Sequence, residues 1–427
     1  MVDVVVVAGV RTPFVRAGTD LKEVPAWVLG AAASRETLAR SGVPSSAVED
    51  VVFGCVAQPS DSANIARVVA LRAGVPRQVP AVTVGRNCAS GLEAVSVAAE
   101  RIRSGRADVV LTGGLESMSR VPLEYPLKFN WKVASLTRAR SWREKIAAAS
   151  SMRLSDFRPV VALERGLSDP FTGEIMGRTA ERLAREFSIS REEQDEYALE
   201  SHRRAVAHEE SLRSEIQPFG VPPRFLDFVR EDQGPRANQS IAALAKLRPY
   251  FDRKFGTVTV GNSCGITDGA VALLLAREDR ARAEGWPILG RIKGHAFRGC
   301  DPERMGLGPV HATPFALKEA GIALQDIDRI ELNEAFAAQV LACQRAFESD
   351  RFGKELGLPG AVGEIDPTKL NVRGGAIALG HPVGATGARL VLTLCDQLRE
   401  LGGGFGLATL CIGGGQGGAL VVEGVSA

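Results

Sequence analysis

The segment Ala39-Arg-Ser-Gly-Val-Pro-Ser-Ser-Ala-Val-Glu-Asp-Val-Val-Phe53 recurs in outline as Lys318-Glu-Ala-Gly-Ile-Ala-Leu-Gln-Asp-Ile-Asp-Arg-Ile-Glu-Leu332. Both stretches read as a helix end, a glycine cap, a short loop with an acidic turn, and a strand. A second match follows in the same order, Gly269-Ala-Val-Ala-Leu273 against Gly418-Ala-Leu-Val-Val422. A third lies in two small-residue loops, each placed before a long helix: Asn87-Cys-Ala-Ser-Gly91 and Gly380-His-Pro-Val-Gly-Ala-Thr-Gly387. Chance could supply one such match. Three in one order point to a duplication.

Outward from the repeat, short β-branched runs alternate with Ala/Leu-rich helical runs. Val4–Val7, Val51–Phe53, Val109–Thr112, Ala270–Leu275, Ile330–Leu332 and Ala419–Val422 read as buried strands. Ala26–Arg40, Leu92–Ser104, Pro314–Ala320 and Ala388–Glu400 read as helices. Such alternation predicts α/β layers on largely parallel sheets. Residues 121–250 break the pattern with Pro-rich stretches and a polar helix near Arg191–Glu210, and read as a loop domain inserted in the first half. The strand-like run Gly256–Ala276 is expected to complete that half. The domains expected are therefore 1–120 plus 251–280, the loop domain 121–250, and a second half 281–427.

The bulk properties narrow the class. The chain has 427 residues, 45% hydrophobic and 24% charged, enough for a large core without staples. A net charge of +2 implies no polyanion partner, so no nucleic acid is expected. Seven cysteines without a CxxC pair argue against a disulfide framework or a structural zinc site, and fit a reducing cytoplasm. The opening MVDVVVVAGVRTPF lacks a basic flank and reads as a first strand, not a targeting peptide. No run of about 18 apolar residues suggests a membrane span.

Four motifs carry chemistry. Cys88 sits before a predicted helix, where free amides and the helix dipole favour an anion; this predicts a lowered thiol pKa and a nucleophile. A structural cysteine at a tight turn is the plain alternative. His381, set among glycines in Gly380–Gly387, reads as a general base or as part of a capping turn; no Lys-Ser/Thr follows as in a phosphate-binding loop. Cys411 ends the strand-like run Leu407–Leu410 beside Gly413-Gly-Gly415, a turn that frees amides to meet an anion or simply fits a crowded core. Asn333, in Asn333-Glu-Ala-Phe-Ala337, follows a strand end, where α/β ligand sites form, and could equally cap a helix.

Together these motifs resemble the thiolase family over essentially the whole chain. The series runs Val10-Arg-Thr-Pro-Phe14, Asn87-Cys-Ala-Ser-Gly-Leu92, Thr112-Gly-Gly-Leu-Glu-Ser-Met118, Met176-Gly-Arg-Thr-Ala-Glu181, Ala245-Lys-Leu-Arg-Pro-Tyr-Phe251, Gly256-Thr-Val-Thr-Val-Gly-Asn262, Asn333-Glu-Ala-Phe336, Gly380–Gly387 and Cys411-Ile-Gly-Gly-Gly-Gln-Gly417. The resemblance implies a thiolase fold: duplicated five-layer αβαβα halves with an inserted loop domain. It implies cleavage of 3-oxoacyl-CoA by CoA in fatty acid β-oxidation, with Cys88 carrying the acyl group, His381 as base and Cys411 as acid/base cysteine. It assigns His381 with an Asn333-held water to one oxyanion hole, and the N–H groups of Cys88 and Gly413 to the other. It places Arg236 near the adenine, and Met176, Phe251, Phe336 and Cys264 along the pantetheine and acyl site. Cys264 stands where many thiolases have Ser. Coenzyme A enters as substrate, and no metal or permanently bound cofactor is implied.

Residues 124–158 interleave Lys128, Lys132, Arg138, Arg140, Arg143, Lys145, Arg153 and Arg158 with Phe129, Trp131, Trp142 and Phe157. Such a basic, aromatic segment lies on an anionic membrane, docks on a partner, or forms a solvated helical face. The insertion resembles that of the β subunit of fatty-acid-oxidation multienzyme complexes, whose α subunit carries hydratase and dehydrogenase activities. Asn333 departs from the mitochondrial trifunctional β subunits, which have His there. A homodimer or tetramer is expected from the family. The alternatives are a biosynthetic acetoacetyl-CoA thiolase, a ketoacyl-ACP synthase relative (disfavoured by Cys411, since those enzymes use two His) and a non-catalytic thiolase-fold lipid or scaffold protein.

Overall fold

The computed structural model describes residues 2–425. Nine strands form one continuous path: β1 (Val4–Arg11), β2 (Asp50–Gly54), β3 (Ala81–Val84), β4 (Val109–Ser117), β5 (Thr267–Arg277), β6 (Gly290–Gly299), β7 (Ile327–Leu332), β8 (Gly404–Ile412) and β9 (Gln416–Gly424). Their spatial order is β7-β8-β9-β6-β1-β5-β4-β2-β3, with the short strand Val15–Arg16 added on β5. The helices that cover them are α1 (Ala26–Ser41), α2 (Ser90–Arg103), α3 (Gly308–Ala320), α4 (Ala337–Phe347) and α5 (Val383–Leu401).

The duplication is visible element by element. α1 ends at Gly42 (φ 69°), passes through a 3-10 turn at Ser45–Ala47 and enters β2; α3 ends at Gly321 (φ 73°), passes through a 3-10 turn at Leu324–Asp326 and enters β7. Both glycines adopt the left-handed conformation that a C-cap demands. The strand order β2-β4-β5-β1 in the first half matches β7-β8-β9-β6 in the second, and β1 pairs with β6 to join them.

Strand alternation builds the layers. On β5, Val271, Leu273 and Leu275 face a central core, while Ala270, Ala272, Leu274 and Ala276 face the outer core under α1. On β9, Leu420 and Val422 face the same central core, while Ala419 and Val421 face the outer core under α3 and α4. α2 and α5 fill the centre with Leu92, Val95, Ile102, Val391, Leu394 and Leu398. The result is the five-layer αβαβα sandwich, α1 outermost on one side and α3 with α4 on the other.

The sheet is mixed, against the expectation of largely parallel strands. Ladders β1·β5, β1·β6, β4·β5, β6·β9 and β8·β9 are antiparallel; only β2·β3, β2·β4 and β7·β8 are parallel. The reason is the last strand of each half, which returns antiparallel beside its neighbour, β9 beside β8 through a short glycine turn and β5 beside β4 through the insertion. Boundaries differ too. Residues 256–266 are irregular and β5 starts at Thr267; α3 starts at Gly308 and carries Pro314 in its interior; α5 starts at Val383. β3 and β6 were not anticipated: β3 is four residues long, and glycines mask the alternation of β6.

In the insertion, the helices Leu127–Arg138 and Trp142–Ser150 form a hairpin with no buried residue. The helix Arg191–Ala207 is capped by Ser190 and Glu193 and packs on the second half. Buried Arg11 ties the insertion to β1, pairing with Glu215 at 2.8 Å and Asp232 at 2.7 Å. Among the described residues, no helix is long and apolar enough to cross a membrane.

The two central helices touch through glycine. A Cβ on Gly91 would lie 2.8 Å from both the Ala388 nitrogen and the Gly384 carbonyl oxygen, and one on Gly387 would overlap the Leu92 nitrogen. Gly387→Ala is therefore expected to cost roughly 1–3 kcal/mol, because backbone must move. Urea denaturation checks this, and an unchanged midpoint would contradict the packing.

Candidate active site

Cys88 ends a tight turn between β3 and α2. The Ala89 N–H donates to the Arg86 carbonyl, and Ser90 Oγ accepts from the Arg86 N–H and donates to the Asn87 carbonyl. Asn87 takes a positive φ of 45°, a conformation that Asn tolerates better than most residues. Its Nδ2 donates to the Gly413 carbonyl at 2.8 Å, drawing the β8–β9 turn of the second half over the cysteine. The Gly413 and Cys88 N–H groups both favour a negative charge on the Cys88 sulfur. Arg86 adds a second tie, pairing with Glu93 on α2 and donating to Gln416 Oε1 on β9.

His381 precedes α5. Its N–H donates to the Gly265 carbonyl at 2.9 Å, and Nδ1 lies 2.6 Å from Thr386 Oγ1. The Thr386 hydroxyl donates to the Pro382 carbonyl, so Nδ1 carries the proton and donates to Thr386. Nε2 is then a bare acceptor, and it has no protein partner among the described residues. Burial, then the Arg389 cation, depresses the imidazole pKa to about 4, so the ring is neutral at ordinary pH.

Cys411, at the end of β8, is buried, and burial followed by neighbouring thiols pushes its pKa far up. Asn333 extends β7, its N–H donating to the Thr409 carbonyl. Its side chain is wholly buried, and neither Oδ1 nor Nδ2 has a protein partner among the described residues. The irregular segment 262–266 supports two of these loops, since the Cys264 N–H donates to the Ala335 carbonyl and Gly265 holds His381.

Seven of the sequence-derived residues line one cavity of about 2360 Å³: Cys88, His381, Cys411, Gly413, Met176, Cys264 and Phe336. Asn333 is not on the cavity lining, although Ala335 and Phe336 of the same loop are. Phe251 is not on that wall; its ring backs Phe336 edge-on at 5.8 Å and covers Gly177. Arg236 is exposed and outside the cavity lining.

The structure reverses one expectation. The Cys88 pKa is raised, not lowered: desolvation outweighs the two amide hydrogen bonds, and the nearby Glu116 carboxylate adds to the rise. Sequence reasoning also gave no role to Asn87, Thr386, Glu116 or Glu334. Glu334 is buried and accepts from Tyr197, Ser201, Asn371 and the Ile377 N–H, clamping the Asn333 loop to the insertion. The signal was present, since Glu116 and Glu334 are acids inside otherwise small or apolar motifs.

Residues 4–279 match the family model "Thiolase, N-terminal domain", and residues 286–424 match "Thiolase, C-terminal domain". The chain belongs to the thiolase family. The 3-ketoacyl-CoA thiolases of Yersinia pestis (strain Pestoides F) and Yersinia pseudotuberculosis (strain YPIII) are each 42% identical to this thiolase over 424 residues, covering 98% of this chain and 96% of theirs. Among solved structures, the Bacillus anthracis acetyl-CoA acetyltransferase is 37% identical with a TM-score of 0.86, covering 100% of this chain and 99% of that one. Human mitochondrial 3-ketoacyl-CoA thiolase in complex with CoA is 36% identical with a TM-score of 0.84, covering 99% and 98%.

A neutral thiol beside a neutral imidazole makes a specific prediction for this thiolase. Alkylation of Cys88 by iodoacetamide, followed on its own peptide by mass spectrometry, should climb only in the alkaline range. A rate plateau between about pH 5 and pH 7, the mark of a thiolate–imidazolium pair, would contradict the electrostatics described.

Proposed function

We propose that this thiolase cleaves 3-oxoacyl-CoA with CoA, giving acetyl-CoA and a shortened acyl-CoA, in fatty acid β-oxidation. The observation that carries this reading is the meeting of Cys88, His381 and Cys411 in one cavity. His381 Nε2 takes the Cys88 proton as the sulfur attacks C3 of the substrate. The C2–C3 bond breaks, and Cys411 protonates C2 of the departing acetyl-CoA enolate. A second CoA thiol gives its proton to the Cys411 thiolate and attacks the acyl-Cys88 thioester. Cys88 leaves as thiolate and recovers its proton from His381. His381 and a water held by Asn333 stabilise the enolate oxygen, and the N–H groups of Cys88 and Gly413 stabilise the tetrahedral oxyanion, each donor contributing about 3–4 kcal/mol in comparable holes.

The cavity, at about 2360 Å³, has room for a pantetheine arm and an acyl chain together. Met176, Phe336 and Cys264 are assigned to the pantetheine and acyl path, Phe251 to its support and Arg236 to the outer, adenine end. The family models break between 279 and 286, which supports a second half starting near 281; the insertion 121–250 is assigned to substrate covering. A homodimer or tetramer is supported by β3, a half-buried apolar strand at the open edge of the sheet. The hairpin at 124–158 exposes Leu127 (69%), Trp131 (59%) and Trp142 (67%) among its basic residues, which supports a partner such as a hydratase/dehydrogenase subunit, or peripheral membrane contact. Copurification from native cells tests the partner: elution alone at homo-oligomer size would remove it. The reading places the enzyme in the cytoplasm.

Acyl transfer separates the two cysteines. With short and long 3-oxoacyl-CoA substrates, mass spectrometry should find the acyl group on Cys88 and never on Cys411, and turnover should favour the long chains. Cys88→Ser should lose thiolysis by roughly 10³-fold or more. Cys411→Ser should lose turnover while Cys88 still accepts an acyl group from acyl-CoA. An active Cys88→Ser enzyme would overturn the mechanism, and preference for acetoacetyl-CoA would move the reading to a biosynthetic thiolase.

A further inference from the structure

Glu116 is wholly buried near the end of β4 and lines the cavity beside Cys88. Its Oε2 accepts from the Val56 N–H at 3.1 Å and the Gly384 N–H at 3.0 Å; its Oε1 accepts from the Ala57 N–H at 3.0 Å and, at 3.7 Å, from the Cys55 thiol. No cation pairs with it among the described residues, whereas the buried carboxylates of Glu215 and Glu331 each meet an arginine. Its compensation is three amides and the positive end of α5, the helix that begins two residues after His381. The fit has no slack. A Cβ on Gly384 would lie 2.8 Å from Oε2 and 2.7 Å from the Leu115 carbonyl, and one on Gly114 would overlap the Gly384 carbonyl.

We propose that Glu116 is a positioning residue of the thiolase reaction, riveting the first turn of the His381 helix to the strand and loop that wall the Cys88 side of the cavity. The proposal rests on the thiolase mechanism above. It gives a buried, cation-free carboxylate a purpose that stability alone does not: a carboxylate without a counter-ion is costly to bury, and a hydrophobic residue of similar volume would pack there without that cost. Glu116 Oε2 holds one amide from each half, Val56 and Gly384, while Oε1 adds Ala57, so the carboxylate ties three donors that a one-oxygen or shorter acceptor ties only in part. A displacement of about 1 Å between base and nucleophile costs on the order of 10²-fold in rate. The same charge also bears on Cys88, raising its pKa. Other titratable groups here include His381, Cys411 and Cys264 on the cavity lining and the Cys55 thiol against Glu116, and the Arg86–Glu93 pair lies on the turn and helix of Cys88.

Glu116→Gln and Glu116→Asp separate the two effects. Glu116→Gln removes the charge and turns an NH₂ toward amide donors. Its kcat should fall by about 10–100-fold with KM changed less than about threefold, and the Cys88 alkylation profile should move to lower pH. Glu116→Asp keeps the charge but cannot reach both halves, so kcat should fall while the alkylation profile stays in place. Wild-type kcat in either variant would overturn the proposal, as would a Glu116→Gln profile that does not move. If Glu116→Gln is insoluble, Glu116→Asp alone decides on kcat. Alkylation needs no turnover, so it stays informative even if Cys88→Ser proves active and the mechanism itself fails.

Discussion

Where α2 and α5 cross, Gly91 and Gly387 remove the side chains that would hold the two helices apart, and backbone meets backbone. Each helix comes from a different half. Cys88 lies just before the first turn of α2, and His381 just before the first turn of α5, so the crossing brings the two side chains into one cavity. Everything else at the site trims this contact. Asn87 pulls the Gly413 turn across, Glu116 pins the start of α5, and the segment 262–266 holds His381 from behind. A methyl group at the crossing would force the two backbones apart.

Burial at this crossing decides the charge state. Two helix N-termini favour an anion, yet desolvation wins at Cys88 and leaves a thiol. At His381 burial acts in the opposite sense on a base and leaves a neutral ring. Arg389 reinforces it from α5, while its own charge is matched by Glu331 on β7. The resting site therefore holds no ion pair between Cys88 and His381. The Cys88 and Gly413 N–H groups already favour a negative sulfur, so an anion formed there would meet fixed donors.

The two halves, the capping glycines Gly42 and Gly321, and most strands and helices were legible because each leaves a local mark: an apolar run, a turn, a cap. Strand direction was not, because β5 and β9 are antiparallel by virtue of how the chain returns to them, which no run of residues records. Cys88, His381, Cys411 and Gly413 were legible as motifs, and the fold sets all four on one cavity. The sign of the Cys88 shift was not, since desolvation sums over surroundings drawn from both halves. Glu116 escaped for a related reason. Its partners, Val56, Ala57 and Gly384, lie up to 268 positions away and offer only backbone, which carries no residue signature.

The duplication also explains why the site is asymmetric. β4 with β5 and β8 with β9 are the same antiparallel pair, one in each half. In the register of these ladders Ser117 faces Asp268 and Glu116 faces Gly269, while Cys411 faces Gly417 and Leu410 faces Gly418. Since Gly269 and Gly418 are equivalent in the repeat, Cys411 is the counterpart of Ser117 and Leu410 the counterpart of Glu116. The connections diverged as well: Gly413–Gly415 join β8 to β9, and residues 118–266 join β4 to β5. One strand pair thus ends in a minimal glycine turn that brings backbone amides and the Cys411 thiol into the cavity of Cys88. The other ends in the insertion that walls the cavity. A symmetric ancestor would have had the same residue types at both ends; a site that must both expose a nucleophile to backbone amides and enclose an acyl-CoA needs the two ends to differ.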